Sequence, residues 1–329
     1  MGKLRNYIGS IRQALNKMHI AKGDRLAVCL DILYCRIFLH CRLDEYCLYH
    51  FYKYSNLHRR KFILWHHKKT YYRKINPWRY SMHKKKFYQD IQMGMQREVL
   101  YMPECGEEAF LDFVKKHKKV IIKPDVGSCG RQICLHIYED DDHSLQVFHS
   151  FQTEMICEEY IIQHKALSAL NPSSVNSIRL IALWDEGDVQ FLSATLKCGG
   201  SADAFVDNMH SNGIGANVDI ETGVVTGCGR DYYGNTYIYH PVTAEKIVGF
   251  SVPYWQETLE LTRKCHCEIP ECPFIGWDVA ITEKGPEIIE INSAPGPKII
   301  QFMDEVPKGE ILKQYIKKNH CNKRKKAAN

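Results

Sequence analysis

With 329 residues, the chain is long enough for two or more domains, and its 45% apolar and 25% charged residues exclude a disordered or collagen-like polymer. Fourteen irregularly spaced cysteines occur without the N-terminal apolar core and small-residue cleavage site of a signal peptide, so free thiols in a reducing cytoplasm are expected, not a disulfide scaffold. Charge is uneven: residues 1–100 hold 21 Lys+Arg against 6 Asp+Glu, and the remaining residues hold 23 against 32.

The first hundred residues read as helical, with few glycines and apolar positions every three or four residues. Their longest apolar stretch, RLAVCLDILYCRIFLH (25–40), is interrupted by Asp31 and Arg36 and is too short to span a bilayer. A buried helix is expected there, with a membrane-surface helix as the alternative. The basic run 59–80 is interleaved with Tyr, Trp and His but lacks zinc-finger spacing and an RNP-type strand, which disfavours nucleic acid. A solvated face, or a cationic wall beside a polyphosphate or acidic substrate, accounts for the same charges.

After YMPECG (101–106) the pattern changes. A helix (EEAFLDFVKKHKK) leads into the strand VIIKP, the Gly-containing loop DVGSCGRQI and the strand ICLHIYE (133–139). A helix near 144–152 precedes the strand EMICEEYII. Strands SIRLIALW, VQFLSATLKC and ANVDIETGVV follow, then a helix in PYWQETLELTRKCHC and a final hairpin. This order implies an α+β body with antiparallel sheets behind a helical region. CHCEIPEC (265–272) reads C-x-C-x₄-C and lacks the paired C-x₂-C of a structural zinc site.

The hairpin, FIGWDVAITEKGPEIIEINSAPG (274–296), carries an acid inside each apolar strand. If Ile281 pairs with Glu287 around residues 282–286, Asp278 falls opposite Glu290, with Asn292 on the same face two residues on. Two facing carboxylates repel unless a cation lies between them. An all-oxygen set of two carboxylates and an amide suits Mg²⁺ or Mn²⁺, completed by water and phosphate oxygens. The alternative register points both acids at solvent.

A metal–nucleotide site also needs phosphate donors. Lys123 ends an apolar strand, and Gly127, Ser128 and Gly130 supply a flexible loop with backbone N–H groups. No Walker loop is present. The strand through Glu158 and Glu159 offers a backbone edge to a base and a carboxylate to a ribose.

Lys-Pro with a Gly loop, EEYI about thirty residues on, and a late D…E-x-N hairpin together resemble the ATP-grasp superfamily over residues 84–300. NPSSVNSIRLIAL, GWDVAITEKGPEIIEIN and the HP followed by GFSVPYW resemble the sugar-transfer-associated ATP-grasp family in particular.

The resemblance implies an ATP-grasp fold, two α+β subdomains gripping ATP, preceded by a mainly helical N-terminal region. The expected boundaries are 1–83 for the basic helical region and 84–310 for the core, with a basic tail at 311–329. Within the core, about 105–165 would clamp the nucleotide and 166–310 would bind metal. Lys123 would contact the α/β phosphates, the 127–132 loop the β/γ phosphates, and Glu158, Glu159, Tyr160 and Ile161 would form the adenine hinge. Asp278, Glu290 and Asn292 would hold Mg²⁺ (or Mn²⁺), and of Lys84, Lys85 and Lys86 the last is favoured as the earlier nucleotide lysine. Arg179, Lys197 and Asn208 would face the transferring phosphoryl group.

The implied reaction is ADP-forming ligation of a small-molecule carboxylate to an amine, a thiol or a sugar-linked acceptor, in cell-surface glycan assembly. Phosphoryl transfer to a sugar or small metabolite, and a non-catalytic nucleotide-binding or membrane-surface module, are the alternatives. The implied place is the cytoplasm, with the basic N-terminal region in peripheral contact with the inner membrane surface, through anionic lipid or a lipid-linked glycan. Oligomeric state is not read from the sequence.

Overall fold

A computed structural model of the chain describes residues 2–76, 83–127, 132–151, 153–203, 207, 212–231 and 234–328. The helices are α1 Gly2–Lys17, α2 Arg25–Phe38, α3 Leu43–Leu48, α4 Asn56–Arg59, α5 Trp65–Ile75, α6 Lys84–Asp90, α7 Glu107–His117, α8 Asp141–Ser150, α9 Lys165–Leu170, α10 Trp255–Cys267, α11 Pro297–Gln301 and α12 Gly309–Ala328. The strands are β1 Val99–Tyr101, β2 Lys119–Pro124, β3 Cys134–Ile137, β4 Met155–Glu159, β5 Ser177–Asp185, β6 Asp188–Cys198, β7 Ile214–Val218, β8 Gly229–Arg230, β9 Thr236–Tyr237, β10 Phe274–Thr282 and β11 Gly285–Asn292. They fall into two compact units, Met1–Pro77 with Ala294–Asn329, and Trp78–Ser293.

The first unit is helical. Asp31, which interrupts the apolar run of α2, is neutralised by Arg59, whose Nη1 and Nη2 donate to its two oxygens at 2.6 and 2.7 Å. Tyr46 adds a hydroxyl donor at 2.6 Å. Residues 294–310, read from the sequence as the end of the core, pack on these helices instead. The Gln301 side chain bonds both the N–H and the carbonyl of Ile63, at 3.1 and 2.6 Å. The Gly309 N–H reaches the Lys61 carbonyl at 2.9 Å, where a Cβ would lie 2.5 Å from that oxygen, so only glycine fits.

The second unit holds two antiparallel sheets. A four-stranded sheet in the order β1-β4-β2-β3 buries Val120, Ile122, Met155 and Cys157 with Phe110 and Val114 of α7. A seven-stranded sheet in the order β11-β10-β5-β6-β7-β8-β9 buries Ile178, Leu180, Ala194, Leu196, Trp277 and Val279 on one face. Because side chains alternate, Ser177, Arg179, Thr195, Lys197 and Asp278 all project from the opposite face.

The hairpin puts Asp278 opposite Glu290 by a route the sequence did not disclose. Its turn is tighter than expected: Ile281 pairs with Pro286 and Thr282 with Gly285, leaving a two-residue loop. Gly285 takes φ +116°, which side-chain-bearing residues rarely adopt. A β-bulge between Asp278 and Val279 then restores the register, so Asp278 still faces Glu290 and Gly276 faces Asn292. The extra residue also brings Glu287, opposite Ala280, onto the same face as Glu290.

Candidate active site

The polar face of the large sheet is organised around Asp278. Arg179, its cross-strand neighbour on β5, donates from Nε and Nη2 to the two Asp278 oxygens at 2.6 and 2.5 Å. Lys197 on β6 lies 3.5 Å from Asp278 Oδ1 and 3.0 Å from Asp207 Oδ1, and Asp207 also accepts the Ser177 hydroxyl. Burial works against the charge on Asp278, yet Arg179 and Lys197 hold its carboxyl below the usual range. Burial would likewise lower Lys197, but Asp207 and Asp278 raise it. For Arg179, Asp278 overcomes the same cost and raises the group. All three are therefore charged at neutral pH.

Glu290 is half-buried and Asn292 exposed, at the end of β11. A carboxylate has about four lone-pair sites, so Asp278 keeps acceptor capacity after its two bonds to Arg179. Asp278, Glu290 and Asn292 thus present oxygen donors of the type that suits a hard divalent cation.

A second ion network joins the small sheet to the hairpin. Glu158 accepts from Lys123 Nζ at 2.8 Å, Arg97 Nε at 3.0 Å and the Tyr88 hydroxyl at 2.5 Å. Arg97 Nη1 donates to Glu287 at 2.6 Å and to the Ile288 carbonyl at 2.9 Å. Burial raises the Glu158 carboxyl, but Arg97 and then Lys123 overcome this and hold it down to about 2.

This geometry argues against the expected contact of Glu158 with ribose or adenine, because its side chain is only 4% exposed as well as bonded at both oxygens. The expected strand edge is also corrected. β4 lies between β1 and β2, paired on both sides through Glu158. The Glu159 N–H donates to Glu98 and the Tyr160 N–H to Lys119, so the chain leaves the sheet only at Tyr160–Ile161.

The three consecutive lysines have different surroundings. Lys86 is exposed and pairs with Asp90 at 2.7 Å, one turn along α6. Lys84 is buried, and its Nζ donates to the carbonyls of Pro124, Asp125 and Gly127 at 3.1, 3.4 and 3.4 Å. Burial lowers its basicity, Glu290 opposes that, and Lys123 adds to it. The start of α6 is fixed by Asp125, which accepts the Lys85 N–H at 2.8 Å and closes on His83 Nδ1 at 2.5 Å. Lys84, beside Lys123 and the Gly127 loop, is therefore the better placed of the three. Ser128, Gly130 and Asn208 lie outside the described residues.

Sequence reasoning missed Arg97, Tyr88, Asp207 and Glu287. Arg97 meets Glu158 across 61 positions and Glu287 across 190, with no local motif to mark it. His266 of the CHCEIPEC segment is buried, with Nε2 against the Cys272 carbonyl at 3.2 Å, so this segment serves the core.

The model of the sugar-transfer associated ATP-grasp family matches residues 66–318, and the chain belongs to this family and has the ATP-grasp fold. Among solved structures it is similar to the D-alanine-D-alanine ligase from Coxiella burnetii, at 10% identity and TM-score 0.45, over 75% of this chain and 60% of that one. It is also similar to the D-alanine-D-alanine ligase from Bacillus anthracis, at 15% identity and TM-score 0.42, over 75% of this chain and 69% of that one. A third likeness is to the ATP-grasp ligase PsnB complexed with minimal precursor, Mg and ADP, at 10% identity and TM-score 0.41, over 71% and 56%. The chain thus spans less than two thirds of the length of the first and third of these. No curated protein sequence matches the chain.

Proposed function

We propose that the protein is an ATP- and Mg²⁺-dependent ligase that joins a carboxylate to an amine, a thiol or a sugar-linked acceptor in cell-surface glycan assembly, working from the cytoplasm. The observation that carries this reading is the placement of Asp278 opposite Glu290, beside Arg179 and Lys197, on one polar face of a sheet. Lys84 and Lys123 would meet the nucleotide phosphates, with Gly127 beginning the loop over them. Glu159, Tyr160 and Ile161 would border the adenine, through backbone rather than the Glu158 side chain. A Mg²⁺ ion held by Asp278, Glu290 and Asn292 would neutralise phosphate charge.

In the first step a carboxylate oxygen bonds to the γ-phosphorus, the bond to the β-phosphate oxygen breaks, and ADP leaves. The nucleophile then bonds to the acyl carbon and gives up a proton, while phosphate departs with the electron pair. Arg179 and Lys197 would stabilise the charge that builds on the phosphoryl oxygens in both steps. No covalent residue is required, because positioning supplies much of the acceleration.

An ADP-release screen with Mg²⁺ against amino acids, amino sugars and uronic acids, read with product mass spectrometry, tests the proposal. An amide, ester-like or thioester product accompanied by ADP and phosphate supports it. A stable phosphorylated acceptor replaces it with phosphoryl transfer. Absence of Mg²⁺-dependent ATP binding overturns both.

A further inference from the structure

Helix α2 has two apolar faces, and the fold uses one. Val28, Ile32 and Cys35 are buried against the helical unit, as the sequence led one to expect. The same helix leaves Leu26 73%, Leu30 60%, Leu33 41%, Ile37 62% and Phe38 63% exposed. At 3.6 residues per turn, Leu26, Leu30, Leu33 and Ile37 fall within about 60° of one another, a continuous stripe along the helix. An apolar stripe on a surface helix marks an interaction surface.

Charge selects the partner. The helical unit holds 25 Lys+Arg against 7 Asp+Glu, while the Trp78–Ser293 unit holds 19 against 31. Lys22 precedes the helix and Arg36 lies on it, both exposed. A second copy would bring two surfaces of net charge +18 together, whereas an anionic surface complements them. No helix among the described residues is long and apolar enough to cross a membrane. A short amphipathic helix with basic surroundings is suited to lie in an interface plane.

We propose that α2 docks the protein on an anionic membrane surface, with Leu26, Leu30, Leu33 and Ile37 entering the acyl boundary and the basic unit engaging headgroups. This docking goes beyond the ligase reading and does not depend on it, and its test uses neither ATP nor an acceptor.

The full-length protein is sedimented with vesicles of phosphatidylcholine alone or mixed with phosphatidylglycerol. Binding is expected only with the anionic lipid, falling at least about tenfold between about 0.1 and 1 M salt as screening shortens. The double variant Leu30→Ser with Ile37→Ser is expected to lose about tenfold or more of this affinity while keeping its circular dichroism and melting temperature. Lys22→Glu, which leaves the stripe intact, weakens the salt-sensitive part by a smaller factor. No binding to anionic vesicles overturns the proposal. So does unchanged binding by the double variant, which would assign the attraction to basic residues elsewhere. A concentration-dependent dimer that the double variant abolishes would assign the stripe to a second copy instead.

Discussion

The two ion networks of the Trp78–Ser293 unit are built from the same chemistry, and they differ in what they leave available. Around Glu158, the side chains of Arg97 and Glu158 are 2% and 4% exposed, and each carboxylate oxygen already has a protein donor. Around Asp278 each carboxylate oxygen also has a protein donor, but the side chains of Arg179 and Asp278 are 11% and 10% exposed, and the half-buried Glu290 and exposed Asn292 lie on the same hairpin face. The first network is the more deeply buried and holds Lys123 to Glu158. The second continues into the more exposed Glu290 and Asn292. Buried charge is therefore no guide to catalysis until its exposure is weighed along with its partners.

Substitutions at matched positions separate these roles. Glu158→Gln strands Arg97 and Lys123 and should cost about 3–5 kcal/mol of stability at neutral pH, measured by urea unfolding. Arg179→Ala should lower ADP formation about 10²–10³-fold, read as kcat in steady state. If Glu158→Gln lowers only kcat, and Arg179→Ala only stability, the comparison is reversed. Lys84→Ala should weaken ATP binding by about tenfold or more in calorimetry, as expected for a lost charged hydrogen bond. Lys86→Ala loses an exposed pair with Asp90, one helical turn away, and should change stability by less than about 0.5 kcal/mol, with unchanged ATP affinity.

Acid sharpens the same contrast. The folded Glu158 carboxyl is held at about 2, below its ordinary value of 4.5. Its contribution to stability is therefore full above the unfolded value and is lost as pH falls toward the folded one. The stability gap between wild type and Glu158→Gln should accordingly close between about pH 4.5 and 2.

Much of this was legible in the sequence because it is local. The family resemblance pointed to Arg179 and Lys197, and the spacing of Asp278, Glu290 and Asn292 marked one hairpin. The pairing of 278 with 290 emerged although the turn was misjudged, because a bulge compensated for a tighter loop. The partners of Glu158 were hidden because they come from α6, from β2 and from the segment before β1. Lys86 was preferred over Lys84 because sequence cannot show which of three adjacent lysines turns inward. The exposed face of α2 was hidden for a related reason: an apolar run predicts burial, and only packing shows how much of it is covered.

The most direct test of the central claim is ATP affinity as a function of Mg²⁺ in the wild type and in Glu290→Gln, a half-buried position that makes none of the hydrogen bonds described in either ion network. The account predicts tight, Mg²⁺-dependent ATP binding in the wild type and a clear loss of that dependence in the variant. Equal Mg²⁺ dependence in the two proteins, or no ATP binding by the wild type, would contradict it.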